Sequence, residues 1–519
     1  MFESTAGHFG DRPAVIEDNT ETTYAELFDQ ARVFGVALVN AGVHPGDRVA
    51  IWSFNCREWI VACLGLLQAG AAVIPVNTRF KGAEAADILL RGRARALVTV
   101  GGFLGSDYPA MLSDTTIDLP DLHTIVIARG ASAAKSEPWA EFLARGTNAD
   151  LAEFDRRRRS LGPDDVSDVL FTSGTTGVPK GVLMTHGRSM GVGTDWVAMT
   201  GLSAGDRYLM VNPYFHMFGL KAGILACLAS GATMLPEAVF DVDHVLARVA
   251  EQKVTFLPGA PTIYRSILDH PSRDRYDLSS LKVAVTGAAD IPVELIRQVR
   301  AELPFQRIIA GYGLTESGTA ASTAPDDDPE TIATTVGRAR PGFDIRVVDA
   351  DGQWVAPGEV GEILLHGPTI MAGYADDPAG TAAVLSPDGW LHTGDLGFFD
   401  ERGCLRIAGR SKDMFIVGGF NAYPAEIETI MLRHPAIAQV AVIGVPDPRL
   451  GQVGMAFIVA KPDAVSPDAV TPAGLIAWCR QNMANYKAPR FVEIVDALPL
   501  NATGKVQKEE LRLRAARRR

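Results

Sequence analysis

The sequence predicts an α/β protein with a large N-terminal body of helix-covered mixed or parallel sheets, a small β-barrel subdomain, and an α+β C-terminal domain. Three observations lead there. At 519 residues the chain is longer than one hydrophobic core usually supports. Short Val/Ile-rich runs alternate with amphipathic helical patterns over the first 330 residues, the rhythm of helix-covered parallel strands. After that, strand runs follow one another through Asp-Gly and Pro-Gly turns, as in FDIRVVDADGQWVAPGEVGEILLHG at 343–367, which reads as a small antiparallel, barrel-like unit.

The elements follow in order. RVAIWSFN (48–55) reads as a strand, with a helix from about Arg57. The longest apolar stretch, Trp59 to Val76, is broken by Gln68, Gly70 and Pro75; it reads as a buried helix feeding a short strand rather than a membrane span. TFLPGAP (255–261) and KVAVTGAAD (282–290) read as strands, each followed by a helix. Mixed character returns from about 413, with IETIMLRHP, VAVIGVPD, GMAFIVA and a helix around Ala473–Asn482. The domain boundary falls near Gly409–Asp413, giving units 1–411 and 412–519.

Composition narrows the function classes. Apolar residues make up 47% and charged residues 21%, with a mean hydropathy of +0.09, which is ordinary for a globular protein. A net charge of −12 would repel a nucleic-acid backbone, so no nucleic-acid partner is expected. The basic runs Arg156–Arg159 and Arg517–Arg519 read as a solvated turn and a solvated tail. The five cysteines, Cys56, Cys63, Cys227, Cys404 and Cys479, have neither disulfide nor metal-ligand spacing and read as free thiols, mostly buried. MFESTAGHFG has no basic or apolar leader pattern, so the expected location is cytoplasmic, with no integral membrane segment.

Chemistry concentrates in a few segments. LFTSGTTGVPKG at 170–181 suits a phosphate-cradling loop. Its glycines let backbone N–H groups converge on an anion, and Thr172, Ser173, Thr175 and Thr176 add hydroxyl donors. It is not a Walker loop, because Lys180 is followed by Gly181. GRSMG at 187–191 matches the nucleophile-elbow pattern, but no later Asp/His pair presents itself as partners. GYGLTE (311–316), HTGDLG (392–397) and GRSKDMFIVGGFNAYPAEIE (409–428) add an aromatic ring, carboxylates and a Gly-Gly turn.

Together with LPLNATGKVQK at 498–508, these segments, in this order, resemble the adenylate-forming superfamily of acyl-CoA synthetases, adenylation domains and luciferases. The resemblance runs from about residue 10 to 512. It implies that Thr172, Ser173, Gly174, Thr175, Thr176, Gly177 and Lys180 hold the β- and γ-phosphates of ATP. Tyr312 would pack on adenine opposite Gly287, Ala288 and Ala289. Thr315 would bond the α-phosphate and Glu316 would ligate Mg²⁺. Asp395 and Arg410 would hold the ribose, and Lys505 would bridge carboxylate and α-phosphate oxygens. Lys412 would be the hinge of a mobile C-terminal domain, whose rotation brings Gly418, Gly419 and Phe420 to line the coenzyme A channel.

NPYFHMFG at 212–219 matches the family's segment between acyl pocket and thiol tunnel, where His216 is either a gate or a packed core residue. Gly- and Ala-rich acyl segments suggest room for a wide acid, and the region 206–271 looks like actinobacterial CoA ligases of steroid degradation. The resemblance thus implies an ATP-dependent acyl-CoA ligase for a bulky carboxylic acid. The alternatives are a medium- or long-chain fatty acyl-CoA ligase, a terpenoid-acid ligase, an adenylating enzyme that passes its acyl group to a carrier protein, an enzyme efficient in thioesterification only, and a degenerate binding protein. Homodimer formation stays open. PDPRLGQ at 446–452 departs from the family's P-D-x-x-x-G-E by placing Gln452 where a carboxylate is usual.

Overall fold

The computed structural model describes residues 1–519 except 132, 134, 173–178, 288–290, 411–412, 418–419, 462–470, 484, 502–504 and 518–519, with the backbone alone for 410, 420 and 421. An eight-stranded sheet runs edge to edge through Gly373–Tyr374, Lys180–Thr185, Val166–Thr172, Ala72–Pro75, Arg48–Trp52, Ala94–Val100, Thr124–Arg129 and Glu137–Pro138. Pairing is parallel from Val166–Thr172 to the last strand and antiparallel at the other edge, so the sheet is mixed. Arg48–Trp52 is followed by the helix Arg57–Gln68 and the strand Ala72–Pro75. The long apolar stretch is therefore a core helix and a core strand, as its interruptions imply.

Helix starts follow local chemistry. Thr23 caps the helix Tyr24–Asn40, its hydroxyl accepting from Glu26 N–H while the Glu26 carboxylate accepts from Thr23 N–H, a reciprocal arrangement that satisfies two otherwise orphaned donors. Thr147 and Asp150 do the same for Asn148–Ser160. That second helix corrects the reading of Arg156–Arg159 as a solvated turn. The run is helical; Arg157 is buried and donates to the Val43 carbonyl at 2.6 Å, and Arg158 pairs with Glu3. All five cysteines are buried and free.

Two further four-stranded sheets flank the first. One orders Arg207–Met210, Thr233–Pro236, Pro13–Glu17 and Thr20–Thr23; the other orders Val283–Gly287, Arg307–Leu314, Gly318–Ser322 and Arg338–Ala339. The segment TFLPGAP joins them without forming a full strand: Phe256 alone bridges Tyr208 on one side and Val283 on the other. Pro258 and Pro261 lack the N–H groups a central strand must donate, which is why the expected strand shrinks to a bridge before the helix Pro261–Leu268.

After residue 340, Asp344–Val348, Gly361–His366, Leu391–Phe399 and Leu405–Arg410 make a four-stranded antiparallel sheet. Its core shares Val182 and Met184 with the eight-stranded sheet. From Phe415 onward a separate core forms around Ile437–Asp447 and Gly451–Ala460, closed by the helices Pro424–Met431 and Lys508–Arg517. No helix among the described residues is long and apolar enough to cross a membrane.

Gly337 stitches two of these sheets together. Its φ is +75°, a Cβ there would lie 2.0 Å from the Ser322 carbonyl oxygen, and its own carbonyl accepts from Leu405 N–H at 2.7 Å. Gly352 has φ +76° but open space around it. Gly352→Ala is thus expected to destabilise by about 1–2 kcal/mol, the strain of the left-handed conformation alone. Gly337→Ala should lower the melting temperature several times further, and thermal unfolding of the two variants checks the difference.

Candidate active site

A cavity of about 2800 Å³ opens where the four-stranded and eight-stranded sheets meet the C-terminal unit. Thr172, Lys180, His216, Gly287, Tyr312, Thr315, Glu316, Asp395 and Lys505 all line it. Residues scattered over 330 positions of sequence are therefore brought to one space. Ser173, Gly174, Thr175, Thr176, Gly177, Ala288, Ala289, Lys412, Gly418 and Gly419 lie outside the described residues. Arg410 and Phe420 are described by backbone only, each within a strand.

The glycine-rich loop is held at both ends by an antiparallel pair, Val166–Thr172 with Lys180–Thr185, in which Thr172 faces Lys180. Lys180 Nζ sits 4.7 Å from the centre of the Tyr374 ring and 4.0 Å from Asp377 Oδ2. The Tyr374 hydroxyl donates to Glu316 Oε1 at 3.0 Å. Burial, then the negative charge of Glu316, raises the pKa of this phenol, so it remains a donor. Tyr374 and Asp377, from MAGYADDP, escaped the sequence reading because no glycine-rich pattern or spaced motif marks them. Their role became visible only when the strand Gly373–Tyr374 paired with Lys180–Thr185.

On the opposite wall the Tyr312 hydroxyl donates to Asp395 Oδ2 at 2.7 Å. Asp395 is buried and lies directly across the ladder from Arg410. Its main-chain N–H donates to Thr393 Oγ1 at 3.0 Å, which fixes the Thr-Gly-Asp turn. Gly287 and Gly311 face each other in parallel strands, and a Cβ on Gly287 would come within 2.6 Å of the Gly311 carbonyl oxygen. Only glycine permits this approach, and it leaves a flat floor beside Tyr312.

Lys505 enters from the C-terminal unit, tied to Asn501 by two reciprocal bonds, Lys505 main-chain N–H to Asn501 Oδ1 at 2.8 Å and Asn501 N–H to the Lys505 carbonyl at 2.8 Å. Across from it, His216 caps the short helix Met217–Gly219, its Nδ1 accepting from Phe218 N–H at 3.2 Å. Although the residue keeps an edge on the cavity, burial and then the charge of Lys505 push its pKa down to about 4. A neutral ring accepting at Nδ1 carries its proton on Nε2. The apolar end of the cavity beside it is walled by Val192, Trp196, Phe218 and Ala222.

The nucleophile-elbow match at 187–191 has a different part. Ser189 lies inside the helix His186–Thr200, buried, with its hydroxyl donating to Asp168 Oδ2 at 2.5 Å. A serine within a helix and bound to a carboxylate is no exposed nucleophile. Gln452 accepts from Ile416 N–H at 3.3 Å, so the residue standing in place of a carboxylate ties together two strands of the C-terminal sheet.

The site thus offers lysines on two sides, a buried carboxylate bonded to a tyrosine, and an apolar end. That is a cavity for a polyanion and an apolar acid together. Comparison with known families agrees: residues 2–375 match the AMP-binding enzyme family and residues 426–505 match the AMP-binding enzyme C-terminal domain. The chain belongs to the AMP-binding enzyme family. It is an ATP-dependent, AMP-forming acid–thiol ligase.

A relative from Rhodococcus jostii is 47% identical over 98% of this chain and 96% of its own length. Another from Mycobacterium tuberculosis is 48% identical over 97% of this chain and 96% of its own. Both are named 3-[(3aS,4S,7aS)-7a-methyl-1,5-dioxo-octahydro-1H-inden-4-yl]propanoyl:CoA ligase. Among solved structures, the anthranilate CoA ligase AuaEII in complex with anthranoyl-AMP superposes with a TM-score of 0.88 at 28% identity, covering 100% of this chain and 96% of its own.

The depressed pKa of His216 gives a signed pH prediction. The fold favours the neutral imidazole, so its contribution to stability is fully present above the ordinary histidine value of about 6.5. It is lost as pH falls from there toward about 4. Thermal unfolding of the wild type and His216→Phe between pH 4 and 8 should show a melting-temperature difference that is flat above pH 7 and shifts against the wild type below pH 6.5.

Proposed function

We propose that the protein activates a bulky, ring-containing carboxylic acid and transfers it to coenzyme A in two steps at this cavity. The observation that carries the reading is the arrival of Lys505 in the same space as the Tyr312–Asp395 pair, Glu316 and an apolar wall. The choice of acid is supported by the two relatives at 47% and 48% identity, whose name specifies a propanoate on a fused bicyclic dione, and by the small residues Gly287 and Ala222 on the cavity surface.

In the first step a carboxylate oxygen attacks the α-phosphorus, the bond from that phosphorus to the bridging oxygen breaks, and pyrophosphate leaves. Two anions must meet, so positive charge is needed where they approach. Lys505 supplies it to the carboxylate and α-phosphate oxygens, with Thr315 as a hydroxyl donor. The 172–180 segment with Lys180 holds the outer phosphates. Asp395 receives the ribose hydroxyls, with Arg410 beside it, and the Tyr312 ring lies against adenine.

Glu316 fits a magnesium ion. It presents a hard oxygen ligand to the cavity, held in place by Tyr374, and no cluster of three or more metal-ligating side chains exists among the described residues. One carboxylate plus substrate phosphates is how magnesium is commonly held. When bound there, the ion would neutralise phosphate charge.

In the second step the thiol of coenzyme A loses its proton, its sulfur attacks the acyl carbon, and the carbon–oxygen bond to AMP breaks. Lys505 lines the cavity, and the family resemblance implies that thiol delivery follows rotation of the unit 412–519 about Lys412, bringing Gly418, Gly419 and Phe420 to the channel. Neutral His216, beside both the acyl wall and Lys505, stands where the thiol path would enter.

Mass-spectrometric product analysis with ATP, Mg²⁺, coenzyme A and a panel from straight-chain to polycyclic acids tests the reading. A bicyclic propanoate is expected to give the acyl-CoA in preference to fatty acids. Lys505→Ala should reduce adenylation by about 10²–10³-fold, the usual effect of removing one transition-state donor, while still converting a synthetic acyl-adenylate to thioester. Turnover confined to straight chains would overturn the assignment of the acid, and Lys505→Ala activity equal to wild type would overturn the mechanism.

A further inference from the structure

Behind the apolar end of the cavity lies a charge pair that the reaction does not touch. Lys221 Nζ is 2.9 Å from Asp168 Oδ1, with the two side chains 0% and 3% exposed. Asp168 Oδ2 accepts from Ser189 at 2.5 Å and from Ser167 at 2.7 Å. Burial lowers the pKa of the Lys221 ammonium and Asp168 pulls it back up. Asp168 is the single ion-pair partner of Lys221 among the described residues.

The positions of these residues matter more than their number. Asp168 sits in the strand Val166–Thr172, whose Leu170 and Thr172 line the cavity. Ser189 sits in the helix His186–Thr200, which presents Trp196 to the same space. Lys221 sits between Phe218 and Ala222, which face the cavity, and it is the second residue of the π-helical turn Leu220–Leu225. A π-turn widens the helix by one residue per turn; here the lysine of an apolar run is fully buried on the Asp168 side while its neighbours keep the cavity wall. A buried ion pair is weak evidence for stability, since apolar residues of similar volume often serve as well. The serine bonds to Asp168 are directional, however, and fix the strand and the helix that bear them, while Lys221 is held to the same carboxylate by charge, its Nζ having no hydrogen-bond partner among the described residues.

We propose that the Asp168–Lys221 pair, with Ser189, is a positioning centre that sets the shape of the acyl pocket by locking three of its walls to one carboxylate. This rests on the reading of that cavity as the acyl site of an adenylating ligase. Lys221 and Asp168 act through Phe218, Ala222, Trp196 and Leu170 and do not touch the reacting atoms.

The test compares Lys221→Met, Asp168→Asn, Ser189→Ala and the double variant Asp168→Leu/Lys221→Met with wild type. Pyrophosphate release is followed with the best acid of the panel. Lys221→Met should raise KM for the acid by about tenfold or more, as expected when a substrate wall shifts by a fraction of an ångström, with KM for ATP within about twofold. The double variant, which leaves no buried charge, should regain the melting temperature but not the acid KM. Recovery of both by the double variant, or equal rises in both KM values, would show the pair to be structural only.

If Lys221→Met does not fold, Ser189→Ala removes one arm without exposing a charge and should give the same split at a few-fold. If wild type activates no acid, the functional reading fails, and hydrogen exchange still reads the lock. Faster exchange in Ser189→Ala or Lys221→Met over both 166–171 and 218–225, with Ile437–Asp447 unchanged, supports it; a change confined to one of those segments overturns it.

Discussion

The site depends on one short bridge between sheets, the hydrogen bond from the Tyr312 hydroxyl to Asp395. Tyr312 belongs to a sheet whose core is built on helices 242–252 and 293–302, and Asp395 to the antiparallel sheet after residue 340. The Tyr312 ring itself packs against the core of that antiparallel sheet, together with Ala320 and Ala321 from its own sheet, so a polar bridge and an apolar core join the two sheets at one place. Gly337 is part of the same constraint, because it lets the chain pass from one sheet to the other without a Cβ in the way.

Charge organises what that geometry encloses. A chain with net charge −12 nevertheless brings two positive charges to this cavity, Lys180 on one wall and Lys505 on the other, as the proposed binding of a polyanion requires. Lys180 is restrained by the Tyr374 face and by Asp377, an arrangement that holds the ammonium without neutralising it in a tight ion pair. The two lysines come from different cores, so the full positive field exists only while the C-terminal unit is seated. Neutral His216 fits this logic: a second positive charge beside Lys505 would be repelled, and the depressed pKa of the ring is in part that repulsion.

Much of this was legible in the sequence because catalysis by phosphate and carboxylate contacts leaves local signatures. Glycines at 174, 177 and 181, the carboxylate after a Thr-Gly turn and the lysine in an Asn-Ala-Thr-Gly turn are conformational as well as chemical signals. The β-then-α rhythm likewise gave the sheets. What stayed hidden depends on tertiary pairing. Tyr374 matters because its two-residue strand pairs with the phosphate-loop hairpin, and nothing within MAGYADDP announces that. Arg157 looked solvated because four consecutive arginines usually are; one face of their helix turns inward and the Val43 carbonyl receives it. The elbow pattern around Ser189 fails for want of Asp/His partners, and the structure adds why five residues match by chance: they lie inside a helix rather than at its start.

Gln452 shows how a departure from a family pattern is read once its neighbours are known. A glutamate there would accept the Ile416 N–H as the amide oxygen does, so the strand contact needs an acceptor and not a charge. What glutamine removes is a negative charge on the strand that pairs with Phe415–Val417, immediately before the Gly-Gly turn. Geometry is therefore preserved and electrostatics is not. An exposed amide offers a neutral bond worth about 1 kcal/mol or less, and here that bond joins two strands of the C-terminal sheet. The departure from the pattern therefore keeps the strand contact and removes a charge, so what it alters is the electrostatics of this edge and not its pairing.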